Sequence, residues 1–324
     1  FPYTTLFRSR PERQLTFWSA SSFPPSMRRL RLPIIWASLL SGLALGAISS
    51  FGALGITQLA GFGSGSGDPE FSTWVARVTA AGGTFAGDSK TIAQALLAQL
   101  HTRSYNHKVV YLLPLLGSNL AAARVPLRDS LHVGIAGNTG FVDGDFSQAA
   151  GLQGNGSSKR LDSLIRPDQL GSGNNGGLGW WETNFTGAGN NEAMAGNDGS
   201  PDNRFSLTLG ASSKTFVWGL VSSGGLVTVS NSDTNGDYYG QRSAINAREI
   251  WRNGTQLATS SSINSAGPAN SETIDLGSAN YNGTHYPWPG RCACAYLTDG
   301  TLTSGEIADL HTLLQDYLIT PTGR

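Results

Sequence analysis

Residues 291–318 read RCACAYLTDGTLTSGEIADLHTLLQDYL: a dense apolar run, a turn of Asp, Gly and Thr, then apolar residues at helical spacing. The first part has the character of a buried strand. The second carries Ile307, Leu310, Leu314 and Tyr317 on one face, behind the capping box Thr303-Ser304-Gly305-Glu306. In such a box the Thr side chain accepts the Glu amide and the Glu side chain returns the bond. Further upstream, NLAAARVPLR (119–128) and FVDGDFSQAAGLQGNGSSKRLDS (141–163) show short apolar runs broken by Gly, Asn, Asp and Ser. Those residues are the turn formers of antiparallel sheets. Short strands ending in one that runs straight into an amphipathic helix predict a sandwich closed by a helix.

Working outward, the period of two is clearest where Phe205, Leu207 and Leu209 alternate with Ser206 and Thr208, and again at Phe216, Trp218 and Leu220. The sharpest local signal is Glu249-Ile250-Trp251-Arg252, then Asn253-Gly254, then Thr255 to Ala258. Asn-Gly takes positive φ at both central positions of a type I′ turn, so a two-residue hairpin is expected there.

Gly151-Leu152-Gln153-Gly154-Asn155-Gly156-Ser157-Ser158-Lys159 followed by Leu161-Asp162 resembles the first strand pair of laminin-G-like, concanavalin A-like lectin/glucanase jelly rolls. The aromatic strand followed by Arg252-Asn253-Gly254 is similar to the same domains. The resemblance spans roughly residues 70–320, with short motifs and no catalytic signature. It implies an all-β concanavalin-like (laminin-G-like) jelly roll with a short N-terminal helical segment and a C-terminal helix. Sequences of this kind are frequent in tailed-phage structural proteins and environmental bacterial genomes.

Ahead of the sandwich, Asp68-Pro69-Glu70 supplies an N-cap, a proline at the first helical position and an early acid. Phe71, Trp74, Val75 and Val78 follow at helical spacing until Gly82-Gly83, and Ile92, Leu96 and Leu100 mark a second helix from Asp88 or Ser89. Residues 68–103 therefore form a helical preface to a sandwich over 104–324. Gly63 to Gly67, GSGSG, is the flexible break before it. The first nine residues, FPYTTLFRS, read like a translated sequencing adapter, so residues 1–26 are set aside from the fold. Met27, Arg28, Arg29 and Arg31 then precede an uncharged run. Three readings of 27–67 stay open: a secretory signal, a membrane anchor through 33–65, or a virion segment.

The 324 residues include 42 Gly and only 14% charged residues, which suits a turn-dense all-β protein. The net charge of zero is unevenly spread. Residues 1–66 hold six of the 22 basic residues and one of the 22 acids, which leaves sixteen against 21 in the body. A mildly acidic body lacks the clustered cations of a phosphate-binding groove, so nucleic acid is excluded as a partner. Two cysteines, Cys292 and Cys294, stand at i and i+2 of a strand. That spacing places them on one face with α-carbons roughly 6.5–7 Å apart, at the limit for a disulfide, so two buried thiols are expected.

Catalytic motifs are sparse. A glycosidase needs paired carboxylates, and Glu272-Thr273-Ile274-Asp275 is the nearest candidate. In a regular strand these two acids point to opposite faces, and no third acid completes the set of a family-16-like glucanase. His101, His107, His132, His285 and His311 sit in no nucleophile-elbow context, so no catalytic residue is assigned.

Asp233, Asn235 and Asp237 alternate as calcium ligands do, with Asp198, Asp202 and Asn203 a second oxygen cluster. Yet Tyr238 stands where an EF-hand-like loop needs Gly and Ala244 where it needs Glu, which favours a hairpin turn at Asn235-Gly236. No cofactor is required, and calcium is the one the pattern admits. For glycans, aromatic faces stack on sugar C–H surfaces. Trp181, Tyr238, Tyr239, Tyr286 and Trp288 are the candidates; Trp180 and Trp181 are adjacent, so in a strand one faces the core and the other solvent, and at most one is a ligand platform. Asn155, Asn184, Asn253 and Asn282 each open an N-x-Ser/Thr sequon, unsurprising in a chain so rich in these residues.

The expected function is a non-catalytic phage virion or surface structural protein whose β-sandwich binds glycans or host structures. The alternative is a secreted bacterial lectin-like module or a glycoside hydrolase. Its expected partners are a glycan or host surface and other virion proteins, with a homo-oligomer admitted. Its expected location is virion or extracellular.

Overall fold

The alternation at Phe205, Leu207 and Leu209 is one inner face of a two-sheet sandwich: all three are buried in the core between the sheets. The computed structural model describes residues 67–324 apart from 132–133, 171–174, 186–189, 198–202, 221–223, 265–271 and 282–283. The expectations for residues 1–66, for Asp198 and Asp202, and for the Asn282 sequon lie outside the described residues.

The first sheet runs in the order β14 (Thr255–Ser260), β13 (Ala247–Arg252), β12 (Gly236–Ala244), β7 (Gly176–Asn184), β18 (Arg291–Asp299), β1 (Val109–Leu113), β2 (Arg128–Asp129). Beside β18 lies β5 (Gly151–Gln153), paired in turn with β4 (Phe146–Ser147). The second sheet runs β11 (Leu226–Ser230), β10 (Ser213–Leu220), β9 (Asn203–Gly210), β8 (Asn190–Asn197), β15 (Asp275–Leu276), β6 (Arg160–Asp162), β3 (Gly137–Thr139). On β8 sits β16 (Ser278–Tyr281), hairpinned to β17 (Thr284–Pro287). The all-β sandwich with a helical preface and a C-terminal helix is thus the architecture of this chain.

Between the sheets pack Leu178, Trp180, Tyr238, Ile250 and Leu297 from the first and Phe205, Leu207, Phe216, Trp218 and Leu276 from the second. Phe205 and Trp218 meet edge to face with ring centroids 4.6 Å apart. The other face of the first sheet carries a second core, covered by α1 (Pro69–Ala80), α2 (Ser89–His101) and α4 (Ser304–Leu314), with the short α3 (Leu120–Ala123) between preface and sheet. Trp74, Val78, Leu96 and Leu100 join Ile307, Leu310 and Leu314 there against Trp181, Tyr239, Trp251 and Tyr296. Each such side chain contributes about 1.5–3 kcal/mol when fully buried.

Local signals dictate the element ends. Asp68 caps α1 by accepting from the Glu70 amide at 2.8 Å. The capping box of α4 is closed both ways, Glu306 N to Thr303 Oγ1 at 3.3 Å and Thr303 N to Glu306 Oε2 at 2.7 Å. Lys108 Nζ also donates to Glu306 Oε2, 3.0 Å away, and Tyr105 Oη donates to Asp309 at 2.6 Å, tying the turn ahead of β1 to α4. At the β13–β14 hairpin Asn253 has φ 49° and Gly254 φ 73°, the type I′ turn that Asn-Gly predicts.

Three expectations need correction. Asn235-Gly236 is not a hairpin turn: β11 ends the second sheet while β12 lies inside the first, so residues 231–235 cross between sheets. Gly236, at φ 129°, is needed because a β-carbon there would stand 2.5 Å from Asn253 Oδ1. Cys292 and Cys294 do not share a face. A bulge against β7 pairs Cys292 with Glu182 but Cys294 with Trp181, which turns Cys292 into the inter-sheet core and Cys294 toward the helices. Both are buried free thiols, as expected. Finally, Trp181 does not look out to solvent opposite Trp180, because helices cover that face.

Candidate functional site

Ile274, just before β15, and Leu276 on it are buried in the sandwich, and Asp275 between them turns to the outer face of the second sheet, beside Asp162 of β6. Among the described residues, the helices pack on the first sheet, so this outer face has no helical cover. It is not bare, since Ser206, Val217 and Asp275 on it are at most 3% exposed. After Leu276 the chain reverses at Gly277, φ 74°, and the β16–β17 hairpin returns to the same segment. Asn280 Nδ2 there donates to Glu272 Oε2 at 3.3 Å, and His285 Nδ1 lies 2.7 Å from Asp275 Oδ2. Arg160 Nε stands 3.4 Å from the same oxygen.

Burial is the main force on this cluster. It pushes the Asp275 carboxyl up to about 8; Arg160 and a hydrogen bond from Ser278 pull it back, while the negative charges of Asp162 and Glu272 add to the rise. Burial also lowers His285, helped by Arg160 and opposed by Glu272 and Asp162. Both directions favour a neutral pair, in which the Asp275 hydroxyl donates to Nδ1 and leaves the proton of the ring on Nε2. Around it Arg160, Asp162, Glu272 and His285 are only partly buried, and the next residue on β17, Tyr286, is 54% exposed. The site therefore offers donors and acceptors, and Tyr286 is exposed on the other side of the hairpin strand that carries His285.

This arrangement corrects the carboxylate reading. The regular strand covers only Asp275–Leu276, so alternation does not govern Glu272, and its charge bears on both Asp275 and His285. Glu272 is instead held by Asn280 of the hairpin, near enough to act on Asp275 and His285.

The aromatic candidates divide sharply. Tyr286 is the exposed one. Trp181 is buried and stacks on His311 of α4, centroids 5.1 Å apart. Tyr239 stacks on Tyr296 at 5.8 Å and bonds Thr298 Oγ1 at 2.7 Å. Tyr238 is wholly enclosed, its hydroxyl bonded to the Asp233 carbonyl. Trp288 plugs the sandwich against Trp180, edge to face at 5.0 Å. Each of these four is at most 5% exposed, which leaves no face for a sugar.

The calcium candidates are separated as well. Asp233 Oδ2 accepts from Arg252 Nη1 at 2.8 Å, and the Asn235 carbonyl accepts from the same guanidinium at 2.9 Å. Asp237 turns beneath α4, where Tyr296 Oη donates to it at 2.9 Å. Among the described residues no group of three His, Cys, Asp or Glu side chains is placed to hold a metal ion.

Two other features are structural. An open cleft of about 640 Å³ between α1 and β2 is spanned by ion pairs, Arg128 Nε to Glu70 Oε1 at 2.8 Å and Arg77 Nη1 to Asp129 Oδ2 at 3.1 Å. Glu182, buried in the first sheet and also raised to about 8 by burial, accepts from Trp180 Nε1 at 3.1 Å and from the Asn184 and Arg291 amides at 3.0 Å. Sequence reasoning missed Arg160, Asp162 and His285. The signal was the Arg160-Leu161-Asp162 alternation, which marks a polar outer face but names no partner strand.

No family model matches this sequence, and no curated protein is similar to it. Several solved structures have a similar arrangement of strands. A Trypanosoma rangeli sialidase mutant displaying trans-sialidase activity is 17% identical, with a TM-score of 0.46, over 65% of this chain and 33% of its own. Domain 4 of AbnA, an extracellular GH43 arabinanase from Geobacillus stearothermophilus, in complex with arabinotriose, is 14% identical, TM-score 0.44, over 63% of this chain and 98% of its own. The CBM40 of Ruminococcus gnavus IT-sialidase, bound to α2,3 sialyllactose, is 13% identical, TM-score 0.39, over 50% and 95%. At these values the likeness assigns neither ligand nor activity to this chain.

Proposed function

We propose that this protein is a non-catalytic glycan-binding β-sandwich of an extracellular or virion surface, with its ligand face on the outer side of the second sheet. The observation that carries this reading is the part-buried cluster of Arg160, Asp162, Glu272 and His285 over Asp275, with Tyr286, the next residue of the hairpin after His285, exposed. Sugars are recognised by such a mixture, hydroxyls bonding to fixed charged groups and a ring face packing on an aromatic. The resemblance of residues 151–162 to laminin-G-like modules supports the surface or virion setting.

The test is a screen of the full chain on an array of neutral and acidic oligosaccharides. Binding is expected, weakened by Arg160→Ala and by Tyr286→Ala. It is also expected to persist in EDTA, because Asp233 and Asp237 are each engaged by protein groups. A chain that retains no oligosaccharide sinks the reading.

One observation favours a second reading, glycoside hydrolysis: Asp275 is held protonated near neutral pH beside Glu272, as a general acid must be. Asp275 is 1% exposed behind His285, however, so its proton points to the imidazole Nδ1 and away from a substrate oxygen. Release of reducing ends from an array ligand, lost in Glu272→Gln, would promote hydrolysis over binding.

A further inference from the structure

Among the described residues, three other than glycine have positive φ: Leu115 at 50°, Asn253 at 49° and Leu164 at 63°. That region crowds the β-carbon and is costly for a branched apolar side chain. Two of the three are accounted for by the fold. Leu115 is 1% exposed in the inter-sheet core, so its side chain gains burial. Asn253 forms the type I′ turn, and its side chain accepts the Asp237 amide at 2.9 Å.

Leu164 has neither return. It is 40% exposed, and an apolar side chain makes no hydrogen bond. Its backbone is held firmly: its amide donates to Asp162 Oδ1 at 2.8 Å. On either side, Ser163 N donates to Ile274 O at 3.0 Å and Ile274 N to Ile165 O at 2.7 Å, with Ser163 and Ile165 both fully buried. Leu164 is thus the middle residue of a three-residue bulge, Ser163 to Ile165, opposite Ile274, looped outward where glycine would fit at lower cost. Bulges re-aim side chains next to binding sites, and backbone strain that the fold does not need points to function. The bulge joins Asp162 to the segment bearing Glu272 and Asp275, so it borders the polar cluster.

We propose that Leu164 is an apolar ligand contact of that cluster, packing on the C–H surface of a neutral sugar whose hydroxyls meet Arg160, Asp162 and His285. This rests on the glycan-binding reading above. Leu164 is then the apolar contact of that face, carried by the bulge next to Asp162.

The test is the full chain with Leu164→Gly, Leu164→Asn and Tyr286→Ala, each titrated with the neutral oligosaccharide that the array retains most tightly, alongside thermal melts. Leu164→Gly and Leu164→Asn remove the side chain while easing the backbone, so the melting temperature is expected to hold or rise. Affinity is expected to fall roughly tenfold, as for loss of one buried apolar group. If both variants bind within about twofold of the unmodified chain while Tyr286→Ala binds weakly, this inference falls and the glycan reading stands. If both variants melt well below the unmodified chain, Leu164 is structural and the inference also falls. An unmodified chain that retains only acidic oligosaccharides overturns the neutral-sugar assignment, and one that retains none overturns both readings.

Discussion

The two sheets have similar strand numbers and opposite fates. The first is covered on both faces, by the second sheet on one side and by α1, α2 and α4 on the other, and it holds Trp180, Trp181, Tyr238, Tyr239, Trp251 and Tyr296 as core. The second is covered on one face by the first sheet, and its outer face carries Arg160, Asp162, Asp275 and the β16–β17 hairpin. An aromatic residue in this protein is therefore evidence of a ligand face only in the second region. In the first it is a packing residue, whatever Gly- or Asn-rich segment adjoins it.

The largest effect that separates the regions is expected at Trp181. Replacing it with Ala removes a ring stacked on His311 within the helix-covered core, at about 3–5 kcal/mol by analogy with other buried aromatic truncations. Leu310→Asp, which puts a carboxylate at a site 2% exposed, should be at least as damaging. Urea unfolding measures both. If Trp181→Ala costs under about 1 kcal/mol, the helices do not seal the first sheet and the contrast collapses.

The same contrast explains what the sequence could reveal. Short-range signals were legible because their partners lie within a few residues: the capping box at Thr303 and Glu306, the Asp68 cap and the Asn253-Gly254 turn. Alternation at Phe205 to Leu209 correctly marked an inner face, since a half-buried sheet imposes a period of two. Register and layering were not legible. One bulge sent Cys292 and Cys294 to opposite faces, and nothing local to Trp181 or Tyr239 announced the helices above them. The polar cluster depends on β6 lying beside β15, a pairing more than a hundred residues apart, and on a reversal at Gly277. Of the five aromatic site candidates, only Tyr286 is exposed.

An intermediate effect is expected at Asp275, and its sign follows from linkage. Its folded value, about 8, lies above the ordinary 3.8, so between those values the folded state binds more protons than the unfolded state. That contribution to stability is complete below about pH 4 and is lost as pH rises toward 8. His285, held low, acts oppositely and only below its ordinary 6.5, losing stability as pH falls. Asp275→Asn removes the first dependence. Relative to the unmodified chain the variant should gain stability steadily from pH 5 to pH 8, by an amount on the order of a few kcal/mol after allowing for the nearby Arg160. Parallel stability curves for the two proteins would show that Asp275 is not buried in its neutral form.

The smallest effect on stability, and the finest probe of the contrast, is expected at Tyr286. Its ring is 54% exposed on β17, facing away from the core side where Pro287 is buried, so truncation leaves no cavity. Tyr286→Ala should shift unfolding by no more than about 0.5 kcal/mol, the ordinary range for surface substitutions. Binding should weaken by roughly 0.5–2 kcal/mol through loss of a stacking face. Tyr239→Ala gives the reverse pattern, because that ring stacks on Tyr296 and its hydroxyl is bonded to Thr298: stability falls by several times the Tyr286 value. Its binding, measured at a temperature where the variant is folded, stays unchanged. Isothermal titration and denaturation on the same two proteins decide the matter. If Tyr239→Ala loses affinity while fully folded and Tyr286→Ala does not, the ligand face belongs to the first sheet and the division argued for here is reversed.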